Sequence, residues 1–432
     1  MEKAIKPIPV TSPRNKLLFN EDWVVVLLGL IIILLAFPGI LPISPGYHWS
    51  NSDDLRYQVL GAPNVTLIAI QFIFVFIIAF IGAVLTGKSP TSYCIVFPAV
   101  YMITILAIML AGNKQVKAFN LEAVIFSLSI GLIIGNIFKL PDWFRAVLST
   151  ELFVKIGLIL LGTTIIFGDI LKAGMYGLLQ ALIVVISVWY FAYWICKKLR
   201  VDNELTMMIA SAVSICGVSA AIATAGAING DTKKLSYVIS LVLITAIPMM
   251  IGMPYLAIYL RLSQEVTGAW LGGSIDTTGA VVASGTLVGE TALKVSTIVK
   301  FSQNVLLGLA AFAISVYWTY SRNTKESNHT SRPSLLVIWQ RFPKFVIGFI
   351  GVSLLFSFFI STSKIGEMKE ELKNLQSLWF ALAFTTIGLE TNFSDLFKSS
   401  NRKPLYAFLI AQVFNILLTL LIAFLLFRNR SV

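Results

Sequence analysis

Residues 266–289 read VTGAWLGGSIDTTGAVVASGTLVG, and this stretch decides how the chain is built. As a helix at ~1.5 Å per residue it is long enough for a ~30 Å hydrocarbon core, yet Asp276 lies near its middle. An acid at that depth costs at least ~2.5 kcal/mol, so it usually faces a bundle interior or a wet cavity. Glycines loosen the backbone around it, and Ser274, Thr277 and Thr278 add hydroxyls. The pattern predicts an ion or substrate site; the alternative is a protonated aspartate that hydrogen-bonds a neighbouring helix.

The composition is typical of a membrane protein. Of the 432 residues 57% are hydrophobic and only 12% are charged, against roughly 25% in soluble proteins. Apolar runs of about 18 residues recur, which predicts an all-α polytopic protein in a lipid bilayer and not a barrel. The net charge of +12 lies in short loops without aromatic interleaving, so it indicates membrane topology and excludes nucleic acid as a partner. Three cysteines and two histidines show no ligand spacing, and we expect no structural metal and no cofactor.

We predict about thirteen transmembrane helices, and for segment 266–289 both a crossing and a re-entrant hairpin stay open. The segments are 23–40, 64–86, 91–112, 121–138, 151–168, 175–196, 205–228, 235–260, 266–289, 291–319, 343–360, 375–395 and 404–427. Basic residues cluster in alternate loops, which places the N-terminus in the cytoplasm and the C-terminus outside. Residues 1–22 are a polar cytoplasmic segment, and we expect no cleavable signal peptide. Lys114, Lys117, Lys233 and Lys234 fall on the external side in this topology, which weakens the pattern without reversing it.

The loops divide the chain. Three N-terminal transmembrane helices occupy 23–112, and their external loop 41–63 carries Pro, Gly and aromatic residues that favour an ordered cap. The other ten predicted segments lie in residues 113–428. Their longest cytoplasmic loop, 320–342, is polar and basic and is a predicted joint between two halves of a bundle.

Segment 205–228 is the second unusual stretch, because its middle reads ASAVSICGVSA (210–220). Small residues let two helices approach closely, which is one interpretation. The other is a helix interrupted near Gly217 whose second half presents a positive N-terminus to an anion. Composition favours neither. The candidate residues are Ser214, Cys216, Gly217 and Ser219.

Lys300 is the third feature, because it is the only charge between residues 295 and 321. Asp276 and Lys300 both lie about 15 Å from the end of their segments, so both reach the midplane, where an ion pair would bury both charges. The pair is either static or opens when a proton, a cation or an anionic substrate competes, and we favour the second interpretation. Asn304 lies one turn along on the same face.

The fourth feature is TTIGLETN at 385–392. Gly388 is a candidate helix break, and Thr385 and Thr386 would line it. Glu390 fits the cytoplasmic boundary better than a binding role.

Several segments resemble the bacterial sulfate exporter family. The resemblance is carried by ASAVSICGVSAAIATAG (210–226), GAWLGGSIDTTGAVVASG (268–285) and VSTIVKFSQNVLLG (295–308). It implies a secondary carrier of the sodium/proton-antiporter and bile-acid-symporter superfamily in a bacterial inner membrane, with 113–260 and 261–428 as inverted repeats of five helices each. It also implies interrupted helices at 205–228 and 375–395 that cross. The chain departs from the family at Asp276-Thr277, where many members carry His-Glu.

We therefore expect an ion-coupled secondary transporter of a small anion, a sulfate-like oxyanion or an organic sulfonate, that works by alternating access. Lys300 would supply positive charge, and Asp276 would bind the coupling H⁺ or Na⁺. The alternative is a sodium or other monovalent cation/proton antiporter on the same fold. An enzyme is not expected, because no GxSxG or HExxH motif occurs. A homodimer is compatible with the sequence.

Overall fold

The structure is a computed structural model that describes residues 20–118, 123–138, 140–165, 167–228, 230–321, 339, 342–391 and 402–428. The predicted cytoplasmic segment 1–22 and loop 320–342 therefore lie mostly outside the described residues. Six described helices are long and apolar enough to cross a membrane, which supports the predicted polytopic helical membrane protein. The helices are α1 Glu21–Ala36, α2 Ala62–Leu85, α3 Pro90–Ala111, α4 Lys114–Ala118, α5 Ala123–Ile137, α6 Asp142–Val147, α7 Thr150–Leu161, α8 Phe167–Lys198, α9 Asn203–Ser214, α10 Val218–Ile228, α11 Thr232–Tyr259, α12 Gln264–Ser274, α13 Thr278–Val288, α14 Glu290–Ser321, α15 Phe345–Phe358, α16 Thr362–Glu390 and α17 Lys403–Phe427.

The described chain forms two compact units. One unit, here called the N-terminal unit, contains residues 20–169 and 344–391. The other contains residues 170–321 and 402–428 and is called the hairpin unit, after the two helical hairpins described below. In the N-terminal unit, the loop 41–63 is held down as the predicted cap: Trp49 Nε1 donates to Met109 O at 2.7 Å, and Asn64 Nδ2 donates to Gly46 O at 2.9 Å.

The interruption predicted in 375–395 is wrong, because α16 is one helix from Thr362 to Glu390. In the N-terminal unit, Gly388 permits a close contact between two helices and does not break its own. A Cβ on Gly388 would lie 2.5 Å from Leu128 O, and one on Gly131 would lie 2.4 Å from Thr385 O. The two glycines therefore let the backbones of α5 and α16 touch, which is the close-packing use of small residues in membrane helices.

The first hairpin consists of α9 and α10. Asp202 caps α9 by accepting from the backbone N–H of Glu204 and Leu205. At the far end of the hairpin, the N–H of Asp231 donates to Glu204 Oε2 at 3.1 Å. Helices of 12 and 11 residues laid end to end would separate these groups by about 35 Å, so α10 doubles back beside α9. The turn at the tip, residues 215–217, includes Gly217 at φ +60°.

An ion cluster closes the base of the first hairpin. Lys234 Nζ lies 2.7 Å from Asp202 Oδ1 and 3.2 Å from Glu204 Oε2. Partial burial acts to raise the pKa of Asp202, but the hydrogen bond from Lys234 and those from the first turn of α9 outweigh it and hold the pKa below its ordinary value. The base therefore stays charged and closed at neutral pH.

The second hairpin consists of α12 and α13. Ser263 caps α12, and Thr277 caps α13 by accepting from the N–H of Ala280. The two ends meet again at the base, where Ala292 N donates to Gln264 Oε1 at 3.4 Å just after α13 has ended. A Cβ on Gly289 would also lie 2.7 Å from the Gln264 amide. Residues 275–277 form the tip.

The two hairpins enter the hairpin unit from opposite ends. Helix α11 has 28 residues, about 42 Å, and connects the base of the first hairpin to the base of the second. Segment 205–228, which was predicted to cross, is therefore a hairpin that returns to the end it enters. Segment 266–289 is a hairpin as well, which was one of the two alternatives that the sequence left open. Two half-helices of 11 or 12 residues add up to the length of one spanning helix, so segment length could not reveal the turn.

Candidate functional site

Lys300 lies between the two hairpin tips. Its side chain projects from α14 and is 1% exposed. The ammonium donates to Ile215 O at 2.9 Å, to Ile275 O at 2.8 Å and to Gln303 Oε1 at 3.0 Å. A lysine has three donors and no acceptor, so all its hydrogen bonds are used. Because Ile215 and Ile275 cap the C-termini of α9 and α12, Lys300 places positive charge at two negative helix ends.

The predicted Asp276–Lys300 ion pair is not formed. Among the described residues, the ion pairs within 4 Å do not include it. Asp276 is nevertheless 2% exposed and lies at the second tip, where its Cβ is 3.0 Å from the point that a Cβ on Gly217 would occupy. The negative helix ends attract the ammonium more directly than the carboxyl does, so acid and lysine share the site without touching.

Helix α17 contributes side chains that the sequence analysis missed. Gln412 Nε2 donates to Ser274 O at 2.9 Å, and Asn415 Nδ2 donates to Val213 O at 3.0 Å and Ser274 O at 3.3 Å. Asn415 thus ties together the last turns of α9 and α12. The signal was present, because Gln412, Asn415 and Thr419 are polar residues at spacings of three and four in an otherwise apolar helix.

The structure brings most of the predicted site residues to the tips. Asn304 Nδ2 donates to Thr278 Oγ1 at 3.3 Å, which fixes α14 to the start of α13. Ser214 is buried, but its hydroxyl is used on Ala210 O at 2.7 Å. Ser219 is exposed in the first turn of α10. The remaining residues at the tips are Cys216 and Gly217 in the first hairpin, and Ser274, Asp276 and Thr277 in the second.

Thr385 and Thr386 do not take part in this cluster. They belong to the N-terminal unit, where Thr385 Oγ1 shares a 2.8 Å hydrogen bond with Thr104 Oγ1 and also donates to Ala381 O. Thr386 donates to carbonyls of its own helix. Their hydroxyls hold α16 in place, and the site is built without them.

Both hairpins turn at the same dipeptide. Ser214-Ile215 precedes the first turn and Ser274-Ile275 precedes the second, and in each case the isoleucine carbonyl accepts from Lys300. The return helices α10 and α13 then begin at the tips, so two positive helix ends converge on the region of Lys300. This shared Ser-Ile motif is the sequence signal that could have identified the hairpins as a pair.

Gly217 provides a direct test of the tip geometry. A Cβ at this position would lie 2.6 Å from Val242 Cγ1 and 3.0 Å from Asp276 Cβ, in a backbone at φ +60°. We expect Gly217→Ala to destabilise the hairpin unit by about 2 kcal/mol or more through strain and overpacking. The matched control is Gly252→Ala in α11, where nothing lies within 4 Å of the added Cβ. Thermal unfolding in detergent would measure both, and equal midpoints would contradict the tip geometry.

Comparison with known proteins places the chain in a family. A membrane protein of Rhodopirellula baltica, named as UPF0324, is 38% identical over 351 residues, and one of Nitratidesulfovibrio vulgaris is 36% identical over 364 residues. These alignments cover 79% and 80% of this chain but 64% and 62% of the relatives, so the chain spans less than two thirds of their length. A UPF0324 membrane protein of Clostridium tetani is 25% identical, over 67% of this chain and 85% of its own. No solved structure matches. The family model described as Conserved hypothetical protein 698 matches residues 95–407, and the chain belongs to that family of membrane proteins.

Proposed function

We propose that the protein is a secondary transporter that binds a small anion between the two hairpin tips. The observation that carries the proposal is the meeting of two re-entrant hairpins from opposite ends of one unit, with Lys300 bonded to both tips. Interrupted helices that meet at mid-depth, with their N-termini directed at an anionic group, are the usual construction of transporter sites. The opposed entry of the hairpins also supports an inverted repeat.

The chemistry of the tips favours an anion near the start of α10. That helix end offers free N–H groups and a positive dipole end, and Ser219 adds an exposed hydroxyl in its first turn. Lys300 contributes charge from close by but no free donor, because its three N–H groups are already used. A sulfate-like oxyanion or an organic sulfonate has the acceptor oxygens that such a site would bind.

A second candidate is a monovalent cation/proton antiporter on the same fold. One observation favours it: among the described residues, no hydrogen-bond partner reaches Oδ2 of the buried Asp276. A carboxylate in that state gains from a proton or a cation. In the anion transporter, the same carboxylate would carry the coupling H⁺ or Na⁺.

Uptake into proteoliposomes discriminates between the two functions. We expect labelled sulfate or an alkyl sulfonate to accumulate when a proton or sodium gradient is imposed, and not in liposomes without protein. Sodium/proton exchange without uptake of either anion would support the antiporter. Absence of both activities, with protein that is folded and inserted, would contradict transport by either mechanism.

The hairpins change the side of the bacterial inner membrane on which residues 231–261 begin and end, and leave the orientation of the termini as predicted. Because the first hairpin returns to its own base, residues 231–234 lie beside residues 202–204 and share an end with Lys197 and Lys198. Lys233 and Lys234 then lie on the cytoplasmic side, in agreement with the positive-inside rule, whereas Arg261 moves to the external side, where Lys114 and Lys117 also lie. The loss of two crossings leaves the parity unchanged, so the N-terminus remains cytoplasmic and the C-terminus external.

Cysteine labelling tests this orientation. In a Cys94→Ser background, which removes the exposed native cysteine, we expect Arg261→Cys to react with an impermeant maleimide from outside the cell. Asp231→Cys should react only after permeabilisation. Lys198→Cys is the control, because it is cytoplasmic in both topologies. The opposite labelling of positions 231 and 261 would show that 205–228 and 266–289 cross the membrane.

A further inference from the structure

Unpartnered oxygen atoms surround the second hairpin. In the described part of the hairpin unit, six buried side-chain atoms have no hydrogen-bond partner, and all six are oxygens. They lie on α12, on its tip, or on helices packed against it. None lies on α9 or α10. The atoms are Gln180 Oε1, Ser274 Oγ, Asp276 Oδ2, Thr297 Oγ1, Asn304 Oδ1 and Gln412 Oε1.

The amide oxygens among them are free because their nitrogens are engaged. Gln412 Nε2 donates to the carbonyl of Ser274, and Asn304 Nδ2 donates to the hydroxyl of Thr278. A flip of Gln412 would put its oxygen against a carbonyl oxygen, so the backbone holds the amide in this orientation. Because Gln412 Nε2 donates to the carbonyl of Ser274, two residues before Asp276, the side chains of Ser274, Asp276 and Gln412 belong to one neighbourhood.

We propose that the tip of the second hairpin is a binding site for a desolvated monovalent cation of the sodium class. Its ligands are Ser274 Oγ, Asp276 Oδ2, Asn304 Oδ1 and Gln412 Oε1. Carboxylate, amide and hydroxyl oxygens are the ligands of hard cations, and the ends of interrupted helices are where transporters hold coupling sodium. This inference rests on the proposed transport function, whose coupling ion it names, but the cation site itself is defined by binding alone.

A proton accounts for less of the arrangement than a cation does. Protonated Asp276 would supply one donor and satisfy one acceptor, whereas one cation engages several oxygens together. A divalent ion is disfavoured because the site has a single carboxylate, and among the described residues no cluster of three His, Cys, Asp or Glu side chains could hold a metal. The nearby positive charge of Lys300 also disfavours a divalent ion, because it repels two positive charges more strongly than one.

In this arrangement the second tip binds the cation and the first tip binds the anion. Asp276 and Lys300 together are neutral, so one bound cation leaves a net charge of +1 beside the start of α10. That charge strengthens anion binding at the first tip, and by linkage the anion strengthens cation binding by the same factor. Cation binding at one hairpin would in this way prepare the other hairpin for the substrate.

Sodium binding to the purified full-length protein tests the site. We expect sodium chloride to raise the thermal unfolding midpoint saturably, whereas equal choline chloride does not, and ²²Na⁺ to bind with matching affinity. Ser274→Ala, Gln412→Ala and Asp276→Asn should each weaken sodium binding by a factor on the order of ten or more. Ser240→Ala is the matched control, because the Ser240 hydroxyl donates within its own helix α11, to Ser236 O, and lies outside the proposed ligand set.

The outcomes separate this site from the proposed function. No sodium-specific stabilisation of the wild-type protein, or unchanged sodium affinity in the three variants, overturns the cation site even if proton-driven anion uptake is found. Sodium binding that the variants lose, in a protein that transports neither anion, supports the site and contradicts the anion transporter. If Asp276→Asn does not fold, the Ser274→Ala and Gln412→Ala measurements still decide.

Discussion

Asp276→Asn will leave the protein folded and abolish gradient-driven anion uptake. The amide has nearly the shape of the carboxyl, so the second tip keeps its packing, but it cannot carry a proton or balance a cation. Folding is expected to survive because the structure already holds Asp276 without an ion pair within 4 Å among the described residues. Uptake in proteoliposomes should fall to that of protein-free liposomes, while the elution profile of the purified protein is unchanged.

The matched control is Asp53→Asn, an exposed aspartate of the N-terminal unit, which should transport like the wild-type protein. Uptake by Asp276→Asn that still depends on the proton or sodium gradient as in the wild type would remove Asp276 from the coupling mechanism. If the variant loses uptake but still exchanges substrate across the membrane at equal concentrations, the acid is needed for coupling and not for substrate binding.

Lys300→Met will separate the hairpin tips and destabilise the hairpin unit. The methionine has similar bulk but leaves the carbonyls of Ile215 and Ile275 without their donor in a buried setting. An unsatisfied buried polar group costs about 1–3 kcal/mol, so two carbonyls add up to about 2–6 kcal/mol. Asp276 also loses the positive charge nearby. We expect a lower thermal unfolding midpoint in detergent and no anion uptake.

Lys294→Met is the control for Lys300→Met, because Lys294 lies in the same helix and its ion pair within the described part of the chain is with the exposed Glu290, at 3.1 Å. Such a pair contributes about 0–1 kcal/mol, so the midpoint should hardly move. Lys300→Arg tests geometry separately from charge: the planar guanidinium cannot reproduce the three directions of the ammonium donors, and we expect partial loss. Equal stability of Lys300→Met and Lys294→Met would show that the tips are held together by other contacts.

The fold class and most residues of the candidate site could be predicted from the sequence. The apolar composition indicated a membrane protein. Asp276 and Lys300 stood out because a charged side chain in the middle of a membrane costs free energy unless it is buried among polar groups. Small residues around Gly217 indicated either close packing or an interrupted helix, and the structure contains the interruption. The same reasoning failed at Gly388, because a glycine that permits close helix contact and a glycine that breaks a helix look alike in one sequence.

The tertiary structure alone decided whether each interrupted segment crosses or returns. A half-helix of 11 or 12 residues that stops at a polar break has the same local sequence in both cases. The choice depends on partners far along the chain: Lys300 bonds to Ile215, 85 residues away, and Gln412 bonds to Ser274, 138 residues away. Hydropathy and segment length show which segments lie within the bilayer. Because Asp276 and Lys300 fall in the middle of such segments, the sequence determined that both side chains must be buried in the protein. The partners of Lys300 are backbone carbonyls at the tips of two opposed hairpins. Those carbonyls have no partner within their own helices, and only the folded chain brings them to the lysine.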